Sequence, residues 1–91
     1  MQSKHLPETS GAIETVPAAS GTLTIDTGLR DMMSFSCSLA QDAGAAVAGV
    51  SWETIAQVPG GTQKVTLKTW EDDGTTAGSA AALVSWIALG N

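Results

Sequence analysis

Residues 32–39 read Met32-Met33-Ser34-Phe35-Ser36-Cys37-Ser38-Leu39. Met33, Phe35, Cys37 and Leu39 fall on one side of an extended chain and Ser34, Ser36 and Ser38 on the other, because successive strand side chains point to opposite faces. Alternation this regular predicts a strand with an apolar face on a core and a serine face in water. Cys37 reads as a small buried hydrophobe. It is the chain's single cysteine, so it has no intramolecular disulfide partner and gives no sign of an oxidising compartment.

The same pattern recurs on both sides of this stretch. Residues 21–26 (GTLTID) set Leu23 and Ile25 against Thr22 and Thr24, a second strand with one apolar face. Residues 41–49 (QDAGAAVAG) have no large side chain to anchor them and read as a connection. Val50 and Trp52 reopen a β pattern that runs through Ile55 to the turn signal Pro59-Gly60-Gly61. In residues 64–70 (KVTLKTW) the apolar side is Val65 and Leu67, and the polar side carries Lys64 and Lys68, so neighbouring strands rich in Asp or Glu suit it. Residues 81–89 (AALVSWIAL) are apolar on both sides, which predicts a central strand or one in a subunit interface. Five such strands with Gly- and Ala-rich loops predict an all-β protein, a small antiparallel β-sandwich spanning residues 21–91.

Residues 1–20 (MQSKHLPETSGAIETVPAAS) differ from the rest. Pro7, Gly11 and Pro17 interrupt any helix, and the apolar residues are too sparse for a strand with a core face. This segment reads as an extended N-terminal attachment arm, with Leu6, Ile13 and Val16 as the anchors that order against a partner.

Composition narrows the function classes. A length of 91 residues allows one domain. A net charge of −5 repels polyphosphate across most of the surface, which argues against nucleic-acid binding. No apolar run approaches the ~20 residues that span a bilayer, and the N-terminus lacks the basic-then-apolar order of a secretory signal, so synthesis in the cytoplasm is the expectation. Catalysis needs a nucleophile with a base, a carboxylate pair in an apolar setting, or a liganded metal. The only histidine, His5, lies among polar neighbours, and Asp72 and Asp73 are adjacent in a Gly-Thr loop, where both face water. The acidic run Glu71-Asp72-Asp73 fits no calcium-loop spacing. Gly60-Gly61-Thr62 leads into a strand, with no helix N-terminus to hold an anion. The expectation is a non-enzyme without catalytic residues, cofactor or metal.

In a chain with three Trp, one Phe and no Tyr, core filling falls to some of the Trp residues. Trp52 and Trp86 read as buried. Trp70, opposite in phase to Val65 and Leu67, is the candidate for ligand or subunit contact.

The segment VTLKTWEDD, a Thr-Ala-Gly loop and LVSWIALG, within residues 64–90, resembles the closing motif of H-type lectin domains. The order Thr27-Gly28-Leu29, Val50-Ser51-Trp52, Thr69-Trp70 and Val84 to Gly90 resembles small structural proteins of tailed bacteriophages, over nearly the whole body. This resemblance implies a trimeric β-sandwich on the virion surface, either a capsid decoration protein or a head fibre, whose partner is the major capsid protein. It carries over no sugar-binding residues. Thin sandwiches bury little apolar surface alone, so a homotrimer through Leu83, Trp86 and Ile87 is the expected assembly. The alternative is a carbohydrate-binding module of a tail fibre that meets host glycan near Trp70. Neither reading involves nucleic acid or membrane.

Overall fold

The structure, a computed structural model, describes residues 8–18, 20–40 and 46–91. It contains β1 (Glu8–Val16), β2 (Thr22–Asp26), β3 (Met32–Leu39), β4 (Gly49–Thr54), β5 (Lys64–Trp70) and β6 (Ala82–Gly90). Two antiparallel three-stranded sheets, ordered β1-β6-β3 (sheet A) and β2-β5-β4 (sheet B), pack face to face as a small β-sandwich. β3 lies over β4, and β1 lies over β2 and β5.

The alternating strands explain this arrangement. Val65 and Leu67 of β5 share one buried cluster with Val84, Trp86 and Ala88 of β6, and Val16, Ile25, Leu29 and Phe35 complete it. Each fully buried large apolar side chain contributes on the order of 2 kcal/mol, which favours the register that keeps all of them inside. β6 is the central strand of sheet A, as its apolar character on both sides predicts. Two buried threonines are satisfied locally: Thr27 Oγ1 donates to the Gln63 carbonyl at 2.7 Å and Thr69 Oγ1 to that of Gly21 at 3.4 Å. Gly28 turns the chain after β2 with φ +73°, a left-handed conformation that disfavours other residues, and its N–H donates to Asp26 Oδ1 at 2.9 Å.

Three expectations are corrected. Residues 8–16, read as part of an attachment arm, belong to the sandwich: Glu8–Val16 is β1, paired along its whole length with β6 from Glu8↔Gly90 to Val16↔Ala82. Its core-facing positions are Ser10, Ala12, Glu14 and Val16, and only Val16 is fully covered. An edge strand at the open side of a sandwich needs few apolar residues, which is why composition hid it. Second, the β3 to β6 register shifts between Met32 and Ser34. This bulge puts Met32 against the core and leaves Met33 exposed. Third, Trp52 faces inward but remains 40% exposed, because β4 is an edge strand and the side of the sandwich is open there.

Candidate assembly surface and the two outer faces

Sheet A turns outward Thr9, Gly11, Ile13 and Thr15 of β1, Leu83, Ser85, Ile87 and Leu89 of β6, and Ser34, Ser36 and Ser38 of β3, as register and alternation require. None of these residues is charged. The large apolar ones stand in solvent: Ile13 is 64% exposed and Ile87 51%, with Leu83 and Leu89 also exposed. The β6 side chains form a ridge flanked by small residues, and a shallow hollow of about 280 Å³ lies beside it, lined by Thr9, Ser34, Ser36, Ile87 and Leu89. A contiguous apolar surface without charge marks a contact site more often than a solvated one.

The proposed interface residues are divided by this geometry. Leu83 and Ile87 lie on the outer face. Trp86, at odd spacing from both, points inward, and it is buried with its ring stacked at 5.7 Å on Phe35. It is a core residue and does not share their surface. Its indole N–H is buried with no hydrogen-bond partner among the described residues.

The anchors assigned to an arm are likewise separated. Ile13 belongs to the sheet A face beside Ile87, Val16 is a fully buried core residue, and Leu6 and His5 lie outside the described residues. Sequence reasoning missed Ile13 and Leu89 as members of an exposed apolar group on sheet A. The alternation in residues 8–16 offered a signal for Ile13, but only its pairing beside β6 places it there.

Sheet B's outer face has the opposite character. Lys64, Lys68, Asp26 and Glu53 project from it, and Lys68 Nζ lies 2.9 Å from Glu53 Oε1. The basic face of β5 thus sits between acidic neighbours on both edge strands. Asp26 is held below the ordinary carboxylate range by the Thr62 hydroxyl, the Gly28 N–H and the Lys64 charge. Trp70 lies on this face, half-buried, with Nε1 donating to Ser51 Oγ at 2.8 Å. The bond fixes the ring and occupies its only donor.

The acidic turn after Trp70 is a self-contained structure. Asp73 accepts from the N–H groups of Thr75 and Thr76 and from the Thr76 hydroxyl, and these bonds draw its pKa down to about 2. A carboxylate consumed in this way is fully ionised and poorly placed as an acid or base. Among the described residues, no three His, Cys, Asp or Glu side chains converge as metal ligands, and no helix is long and apolar enough to cross a membrane. Burial pushes the Cys37 thiol up, which disfavours the reactive thiolate.

No protein-family model, curated protein or solved structure matches this chain.

Proposed function

We propose that this chain is a non-catalytic assembly module, a bacteriophage virion surface protein of the capsid-decoration or head-fibre type, with the major capsid protein as its partner. The observation that carries this reading is the outer face of sheet A, where Ile13, Leu83, Ile87 and Leu89 are exposed with no charged residue among them. A surface of this kind suits contact between subunits. The virion assignment comes from the sequence resemblance, which also implies three copies. Attachment to the shell falls to residues before Glu8, Leu6 among them, since Val16 is committed to the core.

The test is cryo-electron microscopy of virions carrying this protein, with a variant that begins at Glu8. Clustered copies on the capsid lattice support the reading, provided that the truncated protein is lost from the shell. Copies found only at the distal end of the tail overturn the decoration role, and undiminished occupancy of the truncated protein overturns the arm as anchor.

A second reading, binding of host glycan by a tail-fibre module, draws on Trp70, whose ring is held on the outer face of sheet B by Ser51. Sugar rings stack on fixed aromatic faces. Loss of glycan-array signal in Trp70→Ala supports it; a blank array for the unaltered protein dismisses it.

A further inference from the structure

Among the described residues four strands edge this sandwich: β1 and β3 in sheet A, β2 and β4 in sheet B. Each edge carries peptide groups that its own sheet does not use, and such edges are templates for another strand. They differ in charge. β1 contains Glu8 and Glu14, β2 contains Asp26 and β4 contains Glu53, whereas no charged residue occurs from Met32 to Leu39 in β3. Every copy carries a net charge of −5, so copies repel as they approach, and self-pairing is favoured at an edge whose own residues add no charge to the contact. Of the four, only the β3 edge meets its image with no charged side chain in the paired strand.

Backbone bonding shows which groups of β3 face outward. Ala40 N–H donates to the Leu83 carbonyl at 2.8 Å. Antiparallel ladders alternate, so with the observed register Ser38↔Ser85, Ser36↔Ile87 and Ser34↔Leu89 are the hydrogen-bonded pairs. The peptide groups of Phe35, Cys37 and Leu39 therefore point away from β6, toward an edge that no strand among the described residues covers. Native edges are commonly blunted with Lys, Pro or a bulge. β3 has only the bulge at its start, and residues 34–40 run regularly after it.

An independent feature lies on the same side. β3 lies over β4, where Trp52 packs 4.9 Å from Phe35, ring centre to ring centre, yet stays 40% exposed. A strand added beside β3 would cover this indole. Uncharged peptide donors and acceptors and uncovered aromatic area thus point in one direction.

We infer that two copies of this chain pair through their β3 edges about a two-fold axis, joining their A sheets into one six-stranded sheet and covering Trp52. The occupant is a second copy because a two-fold axis lets one edge supply donors and acceptors to its own image. The contact is separate from the outer face of sheet A and does not depend on a virion role.

The test uses the full chain in a concentration series reaching high micromolar. Light scattering should give a mass that is an even multiple of the 9.2 kDa chain. Amide exchange should be slow at Phe35, Cys37 and Leu39 in concentrated samples and fast on dilution, while Ser34, Ser36 and Ser38, bonded to β6, stay protected throughout. Cys37→Pro removes an outward N–H and no bond to β6, so it should halve the mass, whereas Ile87→Lys on the outer face should leave the mass even. A monomer or an odd multiple at every concentration overturns the pairing, as does an even mass in Cys37→Pro. Should that variant fail to fold, exchange in the unaltered chain decides: unprotected amides at Phe35, Cys37 and Leu39 at all concentrations refute the contact. Protection that appears only with an added foreign extended peptide assigns the edge to a different partner and equally refutes it.

Discussion

Asp73 organises the turn after β5 through three accepted bonds, from the N–H groups of Thr75 and Thr76 and the Thr76 hydroxyl. Its folded pKa is about 2 against an ordinary 3.8, so its contribution to folding is complete above the ordinary value and is lost as pH falls through about 2. Carbon-13 titration of the Asp73 carboxyl should therefore show a midpoint near 2, moving upward in Thr76→Val, which deletes the first of its causes. An unchanged midpoint in that variant would assign the shift to the backbone bonds alone. Gly78 marks a different constraint. A Cβ there would overlap the Thr69 side chain and press on Val47, both fully buried, so nothing nearby yields easily. Gly78→Ala should cost about 1–3 kcal/mol in urea unfolding, the usual range for overpacking. Trp86 contributes through buried area and its stacking on Phe35, since its N–H bonds to nothing among the described residues.

β1 carries more weight as an element than its residues suggest. It supplies one whole side of the pairing of β6, from Glu8↔Gly90 to Val16↔Ala82, and brings the fully buried Val16 into the core. A chain that begins at residue 17 should fail to fold cooperatively, whereas one that begins at Glu8 keeps all six strands and a sharp urea transition. Val16→Ala in the full chain should cost about 2–3 kcal/mol, the transfer of two methyl groups plus the space they leave. A cooperative transition for the chain beginning at 17 would show β1 to be dispensable. The other strands were legible in the sequence because each has a covered face to fill: Leu23 and Ile25, Phe35 and Cys37, Val65 and Leu67, Val84 and Trp86 alternate with hydroxyls, lysines or outward apolar residues. β1 was not, because Ser10, Ala12 and Glu14 occupy inward positions that sheet B leaves open. The bulge at Met33 was hidden for another reason: Asp31 and Asn91 exchange backbone bonds at 2.9 Å, and this long-range pairing offsets the register of β3 by one residue. Alternation placed Trp70 on the outer side of β5, but its bond to Ser51 depends on the β4 register, which local pattern does not contain.

For the whole molecule, the distribution of charge decides how copies meet. Nine acidic and four basic residues leave each chain at −5. The outer face of sheet B carries Lys64, Lys68, Asp26 and Glu53, while the outer face of sheet A and the β3 edge carry no charge. Copies that associate through the uncharged surfaces gain contact from burial and lose free energy to the repulsion between their net charges. Salt screens that repulsion, with a Debye length falling from ~30 Å at 0.01 M to ~8 Å at 0.15 M, and leaves burial almost untouched over this range. Association should therefore tighten as sodium chloride rises from low to physiological concentration, read by sedimentation equilibrium of the full chain. Ile87→Lys adds a cation to the sheet A face, so it should weaken any association through that face by placing like charges together across the contact. The opposite salt slope, weaker association at higher salt, would mean that ion pairs span the contact. It would move the assembly surface to the lysines and carboxylates of sheet B, where Lys68 and Glu53 already pair within one chain.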